Sequence, residues 1–150
     1  MKIWACELLH SITIYMVGLN AHRIRDNSTM KENTNIFNKF YLKIFPVILR
    51  LSVDIDKISR DLFSSLTFQL IHWFTNNSLN DDSESLILLD CCFSAAICQD
   101  GPLRDYGTQC INEFLKWTMK QNFEEVNINN NILINLQLLK INIYINLLII

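Results

Sequence analysis

The chain has 150 residues, of which 50% are hydrophobic and 19% charged, and its formal net charge is −2. A chain of this length buries roughly two thirds of the surface that its unfolded form exposes, so one packed domain, or part of one, is expected. The balance of 13 Lys and Arg against 15 Asp and Glu argues against a free-standing nucleic-acid-binding protein. Three glycines and two prolines are too few for a many-stranded sandwich or barrel, so the composition favours helices.

The first predicted helix covers residues 2–19, because apolar residues recur there at steps of three and four and share one face. The expected buried face consists of Trp4, Leu8, Leu9, Ile12, Tyr15, Met16 and Leu19. Residues 20–35 are polar, show no sustained period and are interpreted as a loop. Basic residues cluster in this loop and on the helix that follows. They are interpreted either as a solvated surface, which is favoured, or as contacts to phosphate groups. These residues are His22, Arg23, Arg25, Lys39, Lys43 and Arg50.

A second helix is predicted over residues 36–53, with a kink or restart at Pro46, because proline lacks the N–H group and clashes with the previous turn. Its expected buried residues are Phe37, Phe40, Tyr41, Ile44, Val47, Ile48 and Leu51. Asp54 or Asp56 is expected to cap a third helix over residues 57–74 by accepting free N–H groups of its first turn. The apolar face of that helix consists of Ile58, Leu62, Leu66, Leu70, Trp73 and Phe74.

After a polar turn over residues 75–82, a fourth helix over residues 83–98 is apolar on most sides and is expected to lie between neighbours. The acids Asp81, Asp82 and Glu84 suit the positive end of its dipole. Asp100-Gly101-Pro102 breaks the chain, and a fifth helix runs to about Gln121, with an apolar face of Leu103, Tyr106, Cys110, Phe114, Leu115 and Trp117. Five helices without a strand signal predict an all-α fold, a HEAT-like α-solenoid segment over residues 1–121, with a compact bundle as the alternative.

No combination of residues predicts a catalytic, cofactor-binding or metal site. The five cysteines are odd in number, form no Cys-x-x-Cys pair and are interpreted as buried reduced thiols. Helix capping explains the acids at residues 54, 56, 81, 82 and 84, and His10 and His72 are interpreted as structural histidines. Trp4, Trp73 and Trp117 are expected to pack between repeats. Glu7 interrupts what would be the apolar region of a signal peptide, so an intracellular protein is expected.

Four stretches resemble a known family: residues 2–11 (KIWACELLHS), 45–51 (FPVILRL), 69–77 (QLIHWFTNN) and 103–117, which begins LRDY and ends EFLKW. Together they are similar to the amino-terminal helical-repeat region of the DNA-dependent protein kinase catalytic subunit family. The resemblance covers most of residues 2–121. It implies a slice of an α-solenoid in a nuclear protein that acts in double-strand break repair by non-homologous end joining. It also implies the Ku heterodimer, DNA ends and neighbouring helical repeats as partners.

The kinase domain of that family lies at the carboxyl end of a much longer chain, and its motifs can be sought here directly. Phosphoryl transfer by a protein kinase needs a Gly-rich loop, a catalytic Asp and magnesium ligands. This sequence contains no Gly-rich loop, no His-Arg-Asp and no Asp-Phe-Gly. The chain is therefore expected to be a non-catalytic scaffold segment without cofactors or a small-molecule substrate. An independent helical-repeat adaptor that binds proteins is the first alternative, and a helical protein anchored by its apolar tail is the second.

Residues 122–150 form that tail, and from residue 127 they are almost entirely Asn, Ile and Leu. A membrane span is disfavoured because polar residues interrupt the segment throughout: Asn135, Gln137, Lys140, Asn142 and Asn146. A final helix or strand pair that covers the end of the solenoid is a second interpretation. The favoured hypothesis is an off-frame or intron-derived translation, because AT-rich codons encode these residues. Since neither end supplies a polar cap, poor solubility of the isolated chain is expected.

Overall fold

The computed structural model describes residues 2–25, 31–77 and 83–124, and these contain five helices and no strand. The helices are α1 (Lys2–Arg25), α2 (Lys31–Leu51), α3 (Lys57–Asn77), α4 (Ser83–Ala96) and α5 (Gly101–Glu124). The prediction of an all-α fold is confirmed, and the helices arise where apolar residues recur at helical spacing. The Asn/Ile/Leu-rich tail lies outside the described residues, apart from its first three positions at the end of α5.

The prediction of a loop over residues 20–35 is wrong at both ends of that segment. α1 continues to Arg25 and α2 already begins at Lys31, so only residues 26–30 lie outside the described helices. α1 continues past residue 20 because of a tertiary contact: Asn20 is 3% exposed, and its amide donates a hydrogen bond to Glu84 of α4. A polar residue that appeared to end the helix is therefore one of its buried contacts.

The five helices form two layers, with α1, α3 and α5 in one layer and α2 and α4 in the other. Cys6 contacts Ser59 and His10 contacts Phe63, so α1 and α3 advance together in the same direction. The Tyr106 hydroxyl donates a hydrogen bond to the Ser64 carbonyl and His72 contacts Glu113, so α5 also runs parallel to α3. Each helix is antiparallel to the one that follows it, which is the geometry of helix hairpins stacked side by side.

Aromatic residues of α2 and α3 fill the space between the two layers. Tyr41 and Phe45 stack with ring centroids 5.0 Å apart, and Phe74 of α3 meets both rings edge-on. The core continues through Leu88, Cys92 and Phe93 of α4 to Cys110 and Phe114 of α5. One apolar core therefore runs along the array from helix to helix.

The two described connections, between α2 and α3 and between α4 and α5, are short and carry polar contacts that a helix start requires. Asp56 caps α3, since its Oδ2 accepts from the Ser59 N–H at 2.9 Å and from the Ser59 hydroxyl at 2.7 Å. Asp100 caps α5 through the Leu103 N–H. α2 does not restart at Pro46 but continues to Leu51, with Pro46 on its exposed side where water can hydrate the carbonyl freed one turn earlier.

The buried face expected for α1 is wrong. Its deeply buried residues are Cys6, Thr13 and Asn20, seven residues apart, and Leu9 and Met16 are partly buried between them. Five members of the expected face are instead exposed: Trp4, Leu8, Ile12, Tyr15 and Leu19. α1 carries apolar residues on two sides, and the sequence pattern selected the side with the larger side chains.

The other helices follow the sequence pattern more closely. In α2 and α3 most of the expected positions are buried or half-buried, but Val47, Ile58 and Trp73 are exposed. The expected faces missed four buried residues: Phe45, Leu49, Phe63 and Ile71. α4 is buried on several sides, as expected of a helix between neighbours. No described helix is long and apolar enough to cross a membrane.

Candidate functional site

An open cleft of about 630 Å³ lies at one end of the helices, where the start of α1 meets the α2–α3 and α4–α5 connections. Charged residues make up most of its lining: Lys2, Arg50, Asp54, Asp56 and Asp100, together with Val53 and Ile55. This arrangement brings together the paired acids of the sequence with a lysine and an arginine from other helices. The cleft is therefore the first place at which chemistry has to be sought.

The carboxylates of this cleft form hydrogen bonds with other groups of the chain. Asp54 Oδ1 accepts from Lys2 Nζ at 2.7 Å and from the Asp56 N–H at 2.8 Å. The hydrogen bond between Lys2 and Asp54 lowers the pKa of Asp54 and raises the pKa of Lys2. Hydrogen bonds from Ser59 lower the pKa of Asp56. Asp54 and Asp56 are therefore ionised and held by hydrogen bonds of the fold, and neither has the raised pKa of a general acid.

A second polar cluster lies in the groove between α3 and α5. Glu113 Oε1 lies 2.8 Å from His72 Nε2 and accepts from Trp117 Nε1 at 2.8 Å. The His72 and Trp117 rings are 4.2 Å apart, and Lys120 lies 4.7 Å from the centre of the Trp117 ring. The bond with His72 is the main cause that lowers the pKa of Glu113. The cluster joins two helices of one layer and leaves its polar atoms paired with one another.

Sequence reasoning placed His72 and Trp117 on separate helices and missed their contact with Glu113. The Glu113–Trp117 separation of four residues was the available signal, because side chains four apart on a helix are neighbours. The partner from α3 could not be found this way. Which residue of another helix faces a given turn depends on the order and register of the layers.

The five cysteines are free thiols. Cys92 and Cys110 are fully buried and in contact, and this contact together with burial raises the pKa of Cys92 well above its usual range. Burial raises the pKa of Cys91 to about 11. Thiols of this kind are not nucleophiles at neutral pH. Within residues 2–25, 31–77 and 83–124, no three His, Cys, Asp or Glu side chains come together as metal ligands.

The expected basic cluster is only partly visible. The side chains of His22, Arg23 and Arg25 lie outside the described part of the chain. Lys39, Lys43 and Arg50 are exposed on α2, and separations of four and seven residues place them along one side of the helix. Among the described carboxylates none pairs with these three cations, so they form a short basic stripe on α2.

Comparisons with known proteins find a family model and several relatives that match this chain. The model of the family described as DNA-dependent protein kinase catalytic subunit, CC1/2, matches residues 35–139. The chain is 41% identical over 121 residues to the DNA-dependent protein kinase catalytic subunit of Gallus gallus and to that of Xenopus laevis. It is 37% identical over 120 residues to the subunit of Dictyostelium discoideum.

These matches cover 79–80% of this chain but only 3% of each relative. The chain thus corresponds to a small part of the proteins that it resembles. The matches to these relatives span 120–121 residues, as long as the segment over which the resemblance was read from the sequence, and the family match extends to residue 139.

Proposed function

This chain belongs to the DNA-dependent protein kinase catalytic subunit family, and we propose that it is a non-catalytic, HEAT-like scaffold segment whose role is mechanical. The observation that carries this proposal is the two-layer array, in which each helix pair buries the apolar face of the next. A curved support needs this continuity of packing and needs no reactive group. The segment would hold the geometry of a larger assembly.

The proposed setting is the nucleus, in double-strand break repair by non-homologous end joining, with the Ku heterodimer and DNA ends as partners. The basic stripe on α2 supports a DNA contact, because three cations spread along about 17 Å of helix can each meet a different phosphate of a duplex, which carries one phosphate per about 3.4 Å of each strand. Contacts of this kind carry affinity and little sequence information, which suits a protein that receives a DNA end of any sequence.

A binding experiment with the full chain tests the DNA and Ku partners. The chain, with and without purified Ku, is titrated with a blunt duplex at several salt concentrations. Binding is expected to weaken with salt, and replacing Lys39, Lys43 and Arg50 with Glu should lower the salt slope by about three, or roughly one for each lost phosphate contact. Exchange of Lys116 and Lys120 for Glu is the control, because both lie on α5 in the other layer.

An independent protein-binding adaptor is the second candidate, and the exposed apolar residues of α1 favour it. Retention of neither Ku nor DNA by a folded chain would support the adaptor and reject the repair role. Anchoring by the apolar tail is the third candidate. Carbonate extraction of membranes distinguishes it, because the full chain would then stay in the membrane pellet while a chain that ends at Gln121 would be released.

A further inference from the structure

Two thiols face each other across the contact between α4 and α5. Cys92 of α4 and Cys110 of α5 are both fully buried, and their side chains are in hydrogen-bond contact. The scaffold role does not use this pair. Two thiols in contact can be joined by a disulfide bond, provided that the two backbones also lie close enough.

Gly107 brings the two backbones close at this point. A Cβ added to Gly107 would lie 2.9 Å from the Cys92 carbonyl oxygen and 2.6 Å from the Ala96 nitrogen, so the two helices meet backbone to backbone. Cys110 follows Gly107 by three residues and therefore lies on the same side of α5. Helices that pack through ordinary side chains lie about 8–10 Å apart, whereas a disulfide bond needs Cα atoms within about 7 Å. The glycine thus provides the close approach that a bond between the two cysteines requires.

The other three cysteines lie apart from this pair. Cys6 contacts α3 from α1, and Cys98 follows the end of α4, where its thiol donates a hydrogen bond to a carbonyl of the α4–α5 connection. Cys91 is half-buried and, as the residue before Cys92, points about 100° away from it around α4. The fold therefore places Cys92, rather than Cys91, against Cys110.

We propose that Cys92 and Cys110 form a reversible disulfide bond when the chain meets hydrogen peroxide, and that this bond joins α4 covalently to α5. One sulfur attacks a peroxide oxygen, the O–O bond breaks, and the thiol becomes a sulfenic acid while one water leaves. The second sulfur then attacks the first, the S–O bond breaks, and a second water leaves with the remaining thiol proton. In all, two thiols lose two electrons, and one peroxide is reduced to two molecules of water.

Burial makes this oxidation slow and dependent on opening of the fold. The thiolate is the reactive form, and the contact with Cys110 together with burial raises the pKa of Cys92, so the closed pair stays protonated. The first step therefore takes place when the α4–α5 contact opens transiently, and the second when it closes and brings the sulfur atoms together again. Because both residues belong to one helix hairpin, the bond does not depend on neighbouring repeats.

Peroxide treatment of the full chain, followed by alkylation of the remaining thiols and mass spectrometry, tests the bond. We expect two of the five thiols to be lost within one chain, peptides joined through Cys92 and Cys110, and recovery of all five thiols after treatment with dithiothreitol. Cys110→Ala should abolish this loss. The matched control is Cys91→Ala with Cys98→Ala, which removes two half-buried thiols and should leave the bond intact. Circular dichroism checks that both variants keep the wild-type helix content.

Oxidation in urea shows whether the fold selects the pair. In an unfolded chain Cys98 is closer than Cys110 to Cys92 along the sequence, so several pairings are expected there, whereas the folded chain should give one. Four results would overturn the proposal: five free thiols after peroxide treatment, oxidation of Cys110 to a sulfinic or sulfonic acid, a bond between two chains, or the same pairings with and without urea.

The covalent joining of α4 and α5 has its own measurement. A disulfide bond restricts the unfolded chain, so the melting temperature of the oxidised chain should exceed that of the reduced chain by roughly 5–10 °C. Dithiothreitol should reverse this shift, and the Cys110→Ala chain should not show it. An unchanged or lower melting temperature of the oxidised chain would overturn the role of the bond in holding the two helices together.

Discussion

The two ends of the array differ in how closely their helices pack and in what they leave exposed. At one end α4 and α5 approach so closely that a Cβ on Gly107 would lie 2.6 Å from the Ala96 nitrogen. At the other end α1 meets its neighbours through a seam that includes the buried polar residues Thr13 and Asn20, and Gly18 lies exposed outside that seam, with nothing within 4 Å of an added Cβ. The α5 end exposes mainly polar side chains, whereas the α1 end exposes large apolar ones, among them Trp4 and Tyr15.

This difference shows that the exposed side of α5 is polar, through Arg104, Asp105, Gln109, Asn112 and Lys116, whereas that of α1 is largely apolar. The sequence-based expectation that neither end supplies a polar cap concerned residues 2–19 and the tail, and from residue 125 the tail lies outside the described residues.

The largest expected effect is in the apolar core that α4 and α5 share. Phe93→Ala removes a side chain of α4 that is 3% exposed, and we expect the free energy of unfolding to fall by about 4 kcal/mol because a cavity replaces the ring. Urea denaturation followed by circular dichroism measures it. Ile97→Ala, at a position 58% exposed just beyond α4, is the control and should change stability by less than about 0.5 kcal/mol.

A glycine pair compares the two ends directly. Gly107→Ala should destabilise by about 2 kcal/mol, because the new methyl group meets backbone atoms of α4 that cannot move aside. Gly18→Ala should stabilise by about 0.5–1 kcal/mol, since alanine favours a helix and nothing lies within 4 Å of the added carbon. Equal effects of the two substitutions in thermal unfolding would show that α4 does not hold Gly107 in a close contact.

The polar seam of α1 is expected to contribute less. Asn20→Ala removes a donor to the buried carboxylate of Glu84, and we expect a loss of about 1.5 kcal/mol in the free energy of unfolding. Asn112→Ala, at an exposed position of α5, serves as the control and should be nearly neutral. If both variants retained wild-type stability, the α1 seam would be held by apolar contacts alone.

The smallest effect concerns pH at the foot of α1. Because the folded pKa values of Asp54 and Asp56 lie below 3.8, these carboxylates stabilise the fold above about pH 4, and their contribution is lost as the pH falls through the folded values. Lys2 acts in the opposite direction, and its contribution is lost as the pH rises above 10.5 through its raised pKa. Stability measured from pH 2 to 7 should fall less steeply in Asp54→Asn, with salt reducing the difference.

The helices could be predicted from the sequence because their apolar spacing is local. The start of α3 was also predictable, since Asp56 stands where an N-cap is required and the hydrogen bonds confirm it. The end of α1 was not, because Asn20 is an ordinary loop residue unless Glu84 is known to face it. The position of Trp4 was predicted wrongly for a related reason: a helix with two apolar sides gives no local indication of which side its neighbour will occupy.

The candidate site divides in the same way. The spacing of Asp54 and Asp56 predicts that they stand at the start of a helix. The contact of Asp54 with Lys2, 52 residues away in the chain, depends instead on the order of the helix layers. His72 and Glu113 likewise become partners only because α3 and α5 lie parallel and adjacent.

By itself, the sequence determined that this chain is helical, where most helices begin, and that it resembles the kinase family's repeats, because these properties depend on residues near one another or on their order. The tertiary structure alone decided which side of each helix is buried and which polar groups pair across helices. Burial depends on the neighbour that each face meets, and that neighbour is fixed by packing between residues far apart in the chain.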